Sequence, residues 1–177
     1  MTVRWLDGFS NLLAGLGAAS PKTAASGYVI GCDHAQVEAA YRTSSWYGKI
    51  VDIPADDATR EGRIWQAEPE QITALEAEEA RLGLWGKLRQ ALIWQRLFGG
   101  GALYMGGLPG DPSTPLILDQ VRKGSLQYLI ALHRYEVSIE GRISDPLDPY
   151  YGQPLMYRVG AARLHPSRVV RLNGQRG

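Results

Sequence analysis

The sequence has 177 residues, of which 45% are hydrophobic and 21% are charged, and its formal net charge is +1. These values indicate one globular domain with a real core, and they exclude the strongly basic surface of a nucleic-acid clamp. The single cysteine, Cys32, cannot form an internal disulfide, and Cys32 with His34 lacks the further ligands of a zinc site. No apolar run approaches the ~20 residues of a membrane-spanning helix, so we expect no membrane span.

The first predicted element is a short amphipathic helix over residues 3–16. Its apolar side chains share one face: Trp5, Leu6, Phe9, Leu12, Leu13 and Leu16. Residues 17–27 are small and polar, which is typical of a flexible arm. Two interpretations stay open, since the helix can dock on a neighbouring chain or pack on its own domain. We therefore divide the chain into a helix and arm, residues 1–27, and a domain, residues 28–177.

Aspartates and a proline set the next predicted boundaries. Asp33 caps a helix that Pro54 ends, because proline excludes the preceding residue from the helical region. Asp56 or Asp57 then caps a second, short helix. These two carboxylates and Asp52 could instead be catalytic or metal-binding groups, but capping is the simpler interpretation.

A helical pair is predicted before the middle of the chain. Pro69 suits the first turn of a helix that reaches Leu82, and Gly83 separates it from the next helix. In that second helix apolar residues recur at helical spacing from Leu84 to Phe98. The two helices are expected to form a hairpin.

The stretch that follows is a glycine turn, around which we expect the rest of the chain to pack. Gly99, Gly100 and Gly101 stop the helix, and residues 102–105 continue as a short apolar strand. One glycine takes the left-handed conformation of a helix C-cap, which we assign to Gly100 or Gly101. A phosphate-binding loop is not favoured, because such loops run from strand to glycines to helix.

The second half of the chain changes from helices to short strands. The strand-like segments are residues 126–132, 135–139, 155–159 and 168–172, and turn-rich loops cover residues 108–115 and 144–154. No βαβ alternation occurs. The predicted fold class is therefore α+β, with a helical N-terminal half and a small, mainly antiparallel β portion.

Charge patterning argues against strong binding to duplex DNA. The 19 basic residues are balanced by 18 acidic ones, whereas tight non-specific binding needs several cations on one face. The C-terminal strand region leaves room for a local basic patch, which would comprise Arg163, Arg168, Arg171 and Arg176.

One histidine motif has a catalytic interpretation. His165 and Ser167 have the His-x-Ser spacing that forms half of a two-histidine phosphodiesterase signature. The second half is missing, because His34 is followed by Ala-Gln and His133 by Arg-Tyr. No Gly-x-Ser-x-Gly nucleophile elbow occurs either. Hydrogen-bonded corners of a β structure are the simpler interpretation of these histidines, so we expect no enzyme activity.

Several stretches, taken in order, have a resemblance in common. They are DGFSNLLAGLG, YRTSSWYGKIVDIPADDATREGRIW, ALIWQRLFGGGALYMGG, LHRYEVSI, DPLDPYYGQPLMYRV and LHPSRVVRLNG. Together they resemble the N-terminal, or wing, region of tailed-phage portal proteins over nearly the whole chain. The motif positions that carry the resemblance are Tyr41, Trp46, Asp52, Pro54, Asp57, Arg60, His133, Arg134, Tyr135, Tyr151, Gly152, Pro154, His165, Ser167, Arg168 and Gly174.

The resemblance implies a structural protein of the virion rather than an enzyme. Portal proteins form a ring of identical subunits at one capsid vertex, where the terminase motor and the neck and capsid proteins dock. DNA is contacted only through the assembled channel, and no cofactor or membrane is implied. The location implied is the phage head vertex, or the host cytoplasm during assembly. Stem helices and a clip follow the wing in this family, so the resemblance implies a chain truncated before them at Gly177.

The same N-terminal region also resembles one that is joined to anti-CBASS enzymes. These are phage two-histidine phosphodiesterases that cleave the cyclic nucleotides of a bacterial defence system. The alternative function is therefore an N-terminal domain associated with such an enzyme. Because the second histidine motif is absent, we do not expect the activity in this chain.

Overall fold

Helices come first and strands second in the computed structural model, which describes residues 33–173. The helices are α1 (His34–Thr43), α2 (Ser45–Arg60), α3 (Pro69–Leu82) and α4 (Leu84–Phe98). The strands are β1 (Gly100–Gly106), β2 (Tyr128–His133), β3 (Ser138–Arg142), β4 (Pro154–Val159), β5 (Ala162–Leu164) and β6 (Val169–Asn173). The predicted α+β class is confirmed. The predicted helix over residues 3–16, the arm over residues 17–27, Cys32 and Gly174 lie outside the described residues.

The strands form two antiparallel sheets of three strands each. Sheet A has the order β2-β1-β6, and sheet B has the order β3-β4-β5. In sheet A the central strand β1 places Leu103 opposite Ala131 of β2 and Ala102 opposite Arg171 of β6. Sheet B is therefore an insertion between two strands of sheet A. The three-residue strand β5 was not predicted, because it is too short to give a periodic pattern.

Helix α4 packs directly on the central strand of sheet A. Ala91 of the helix is fully buried, and it forms a core cluster with Leu103 and Ala131. The helix and the strand approach so closely at Gly101 that a β-carbon there would lie 2.3 Å from the carbonyl oxygen of Ala91. Only glycine fits at such a distance.

The glycine turn is present, but its left-handed residue is not the predicted one. Helix α4 ends at Phe98, and Gly99 has φ 74° and ψ 15°. The positive φ values of the described chain include neither Gly100 nor Gly101, so that prediction is wrong. The reason is that both residues already belong to β1, where they pair with β6 in extended conformation. The first glycine makes the turn, and Gly101 is needed for close packing.

Helix α2 continues through Pro54, contrary to the prediction that the proline ends a helix. The break lies earlier, at Ser44, whose φ of −108° and ψ of 116° are extended. In a helix, the N–H of residue 54 would bond to the carbonyl of Ile50, and proline has no such group. Arg96 of α4 supplies the missing donor, because its Nη2 donates to the Ile50 carbonyl at 3.2 Å. The predicted short helix after Pro54 does not form separately.

The Gly101 contact predicts a large loss of stability on adding one methyl group. We expect Gly101→Ala to lower the free energy of unfolding by about 2 kcal/mol or more, because helix and strand must separate to admit the β-carbon. Gly86→Ala is the matched control. Gly86 lies in helix α4, and nothing lies within 4 Å of its β-carbon position. Urea denaturation measures both. Equal effects of the two variants would contradict the packing argument.

Candidate functional site

Arg168 is the only buried charged side chain among the described residues, with 2% of its surface exposed. Its guanidinium bonds to backbone carbonyls of the loop that follows β1. Nε donates to Thr114 at 3.1 Å, Nη2 to Pro109 at 2.8 Å and Nη1 to Leu108 at 3.5 Å. Because charged donors strengthen such bonds, one side chain holds three points of this loop.

The His-x-Ser motif lies next to Arg168 and holds the same loop. The backbone N–H of Ser167 donates to Nδ1 of His165 at 3.2 Å, and Ser167 Oγ accepts from the N–H of Leu116 at 2.9 Å. The backbone N–H of His165 donates to the carbonyl of Pro112 at 2.8 Å. Burial lowers the pKa of His165, and the charge of Arg168 lowers it further. The lowered pKa favours the neutral ring, which can accept at Nδ1. These bonds give the motif a structural role.

The other two histidines belong to an aromatic cluster at the end of α4. The ring of His133 lies 5.3 Å from Trp94 and 5.2 Å from Phe98, and the ring of His34 lies 4.7 Å from Tyr135. His133 Nδ1 also accepts from the backbone N–H of Tyr135 at 3.2 Å. The cluster fixes the turn between β2 and β3 against the helix.

The structure also pairs the aspartates of the motif region. Tyr41 Oη donates to Asp52 at 2.7 Å, and Arg89 Nη2 donates to Asp56 at 3.2 Å. The hydrogen bond from Arg89 lowers the pKa of Asp56. Asp56 and Asp57 lie within the last turns of α2 rather than at the start of a helix, so the capping prediction is wrong. Within residues 33–173 no group of His, Cys, Asp or Glu side chains could hold a metal ion, and no helix is long and apolar enough to cross a bilayer.

One side of α2 is apolar and exposed. The exposed fractions are 75% for Trp46, 54% for Tyr47, 62% for Ile50 and 52% for Ile53. Trp46, Ile50 and Ile53 are spaced i, i+4 and i+7, so they share one face of the helix. We call these four residues the α2 stripe. The helix ends beside a solvent-exposed ion pair between Asp57 and Arg60, at 3.7 Å.

An open cleft of about 890 Å³ is lined by residues of both sheets. Its apolar lining includes Ala102 of β1, Val137 before β3 and Tyr157 of β4. Many positions singled out from the sequence meet here: Gly99, Gly100, Gly101, His133, Arg134, Tyr151 and Gly152. Pro154 begins β4, where it pairs with Arg142 of β3. The cleft therefore joins motifs that are far apart along the chain.

Three arginines give the cleft its charge, namely Arg134, Arg142 and Arg171. None of the described residues that line it is an aspartate or a glutamate. Sequence reasoning missed Arg142, whose side chain donates to the carbonyl of Gly152 at 2.8 Å. The strand pairing, which is not visible in the sequence, places Arg142 of β3 opposite Pro154 of β4 and in the lining of the cleft with Arg134 and Arg171.

The three described members of the basic patch considered from the sequence do not form one surface. Arg163 pairs with Glu140 of β3, Arg168 is buried, and Arg171 lines the cleft. The fourth residue, Arg176, lies outside the described residues.

The Arg168 contacts predict a strong dependence of stability on this side chain. We expect Arg168→Ala to lower the free energy of unfolding by roughly 3 kcal/mol, because three carbonyls lose a charged donor. Arg163→Ala is the control, since its side chain is 57% exposed in a surface ion pair and should cost less than about 1 kcal/mol. Chemical denaturation of both variants provides the measurement. A cost for Arg168→Ala as small as that of the control would contradict the role assigned to it.

Comparison with known proteins gives a family and two relatives. A sequence profile of the phage portal protein family matches residues 35–177. The anti-CBASS protein Acb1 of Sphingomonas paeninsulae is 41% identical over 98% of this chain and 29% of the relative, and that of Caulobacter sp. (strain RHG1) is 38% identical over 96% of this chain and 28% of the relative. The chain thus spans less than a third of the length of these relatives. On the profile match, which covers most of the sequence, the chain belongs to the phage portal protein family.

Proposed function

We propose that this chain is a structural assembly domain of a phage portal and that it packs on a neighbouring copy of itself through the α2 stripe. Two facts support the proposal: membership of the portal family, and a row of large apolar side chains left in solvent on one helix face. Exposed apolar patches of this kind usually mark interfaces.

The occupant we assign to the α2 stripe is a second copy of the chain. The portal resemblance implies a ring of identical subunits, and in a ring each subunit presents one surface to a different surface of its neighbour. Burying an isoleucine side chain contributes about 1.5–3 kcal/mol, and a tryptophan has a larger apolar area to bury. Trp46, with 75% of its surface exposed, would therefore contribute to the driving force for such a contact.

The finer parts of the proposal follow from the same family. In an assembled ring, the terminase motor and the neck and capsid proteins dock around the wing, and DNA passes through the channel. The place of action is the phage head vertex, or the host cytoplasm during assembly. This chain acts without a cofactor and without enzyme activity of its own.

A second candidate function is supported by the names of the relatives, which are anti-CBASS proteins. In that alternative the chain is a domain associated with a cyclic-nucleotide phosphodiesterase. We favour the assembly role because His165 and Ser167 bond to each other and to the loop after β1. A second His-x-Ser motif does not occur in the sequence.

A hydrolysis assay bears on the two candidates, because cyclic-dinucleotide turnover by this chain is compatible only with the second. We expect no linear product when the chain is incubated with a cyclic dinucleotide and the mixture is separated by chromatography. The physical reason is that one histidine motif cannot supply both the acid and the base of the reaction. Turnover by the unmodified chain that is lost in His165→Gln, with the circular dichroism spectrum unchanged, would reverse the order of the candidates.

The assembly proposal predicts that polar substitutions in the α2 stripe reduce self-association. Trp46→Ser with Ile50→Ser should shift the chain from oligomer to monomer, because two large apolar side chains no longer gain from burial. Sedimentation velocity and light scattering at matched concentrations measure the shift. The matched control is Ile64→Ser with Leu147→Ser, two side chains that are 96% and 91% exposed and lie outside α2.

The control separates a specific interface from general hydrophobicity. Loss of association in the α2 variant and its retention in the control would support the proposal. A chain that is monomeric at every concentration, or an equal effect of both double variants, would contradict it.

A further inference from the structure

We propose that the cleft between the sheets is a binding site for a phosphate-bearing ligand, held by Arg134, Arg142 and Arg171. The inference goes beyond the assembly role and does not depend on it, because the α2 stripe does not line the cleft. It is also separate from the His-x-Ser motif, whose residues do not line the cleft.

The first argument is uncompensated charge. The three arginines line a cleft whose described lining contains no carboxylate. Nearby glutamates are engaged elsewhere, since Glu136 accepts from the backbone N–H of His133 and Glu140 pairs with Arg163. Among the described residues, neither Arg134 nor Arg171 has an ion-pair partner. Three like charges in one concave site favour a ligand with more than one negative charge.

The negative end of helix α4 opposes the positive charge of the cleft only weakly. Helix α4 ends beside the cleft, and a helix C-terminus carries about half a negative charge. Arg134 lies next to this end, because its Nη1 is 3.6 Å from the β-carbon position of Gly99. It can thus stabilise the helix end and face the cleft as well. Half a charge does not offset three guanidinium groups, so the cleft keeps its preference for anions.

The second argument is the geometry of the donors. Arginine has five N–H groups in a planar fork that matches phosphate oxygens in pairs. Arg142 uses one of these groups on the carbonyl of Gly152, which orients the side chain while leaving other donors. Neutral donors also line the cleft at Asn173 and Gln153. Several forks around one site suit the tetrahedral oxygens of phosphate better than a single planar carboxylate.

The third argument is size and the available aromatic surface. A cleft of about 890 Å³ falls within the 300–1,000 Å³ typical of small-ligand sites. Tyr151 lines it and is 60% exposed, so its ring is accessible for stacking on a base. Phosphate on a nucleoside is therefore favoured over inorganic phosphate. The same chemistry can come from a free nucleotide or from the end of a nucleic-acid strand.

Isothermal titration of the full 177-residue chain tests the proposal with three probes: inorganic pyrophosphate, ADP and an eight-residue oligothymidylate. We expect ADP to bind, with Arg134→Gln and Arg171→Gln each lowering its affinity roughly tenfold or more. Arg158→Gln is the matched control, because Arg158 is an exposed arginine of β4 that does not line the cleft and its loss changes the net charge equally. Tyr151→Ala should weaken ADP binding and leave pyrophosphate binding unchanged.

Arg171→Lys distinguishes a loss of binding from a failure to fold, since it keeps the positive charge and loses only the planar guanidinium group. We expect an intermediate loss of affinity, with thermal unfolding unchanged. Tighter binding of the oligothymidylate than of ADP, with the same arginine dependence, would keep the site and identify a strand as its source of phosphate. No binding of any probe, or a loss as large in Arg158→Gln as in the cleft variants, would overturn the proposal.

Discussion

The fold depends on how closely α4 approaches β1. At Gly101 no β-carbon fits between the strand and the carbonyl of Ala91, and this contact sets the position of the central strand of sheet A. Strands β2 and β6 pair with that strand, and the chain that joins them forms sheet B. Both linings of the cleft are therefore positioned by one helix–strand contact. Gly101, which the sequence places in a turn, instead allows the close contact between α4 and β1.

Local patterns predicted most elements, and they failed where a distant residue decides the outcome. Residue spacing and turn residues predicted the helix from Pro69, the break at Gly83 and the strands near residues 128–133 and 169–173. The continuation of α2 through Pro54 was not predicted, because the Ile50 carbonyl that the proline leaves without its helical donor accepts from Arg96, which lies 46 positions after Ile50. The left-handed glycine was misplaced for a similar reason. Nothing local indicates that Gly100 already pairs with Asn173.

The candidate site was predictable in some of its members but not in its arrangement. The resemblance singled out Arg134, Tyr151 and Gly152, and the glycine turn was predicted from local patterning; the fold brings them to one cleft. The His-x-Ser spacing of His165 and Ser167 allowed a catalytic interpretation beside the preferred structural one, and their observed contacts hold a loop. Arg142 was missed because its importance arises from the strand pairing. Family membership supports the assembly role. The arginines of the cleft support anion binding, which assembly alone does not require.

The Arg168 contacts also bear on the order in which the chain folds. Arg168 and Thr114 are 54 positions apart, and the segment between them includes β2 and all of sheet B. Closing so long a loop costs chain entropy before any stabilising contact forms. Elements α4, β1 and β2, in contrast, are neighbours in sequence. We therefore expect these three elements to form the folding nucleus, with β6 and the Arg168 contacts added last. A nascent chain still lacking its final segment would then hold a formed helix and an open edge on β1, the kind of edge that other strands can join.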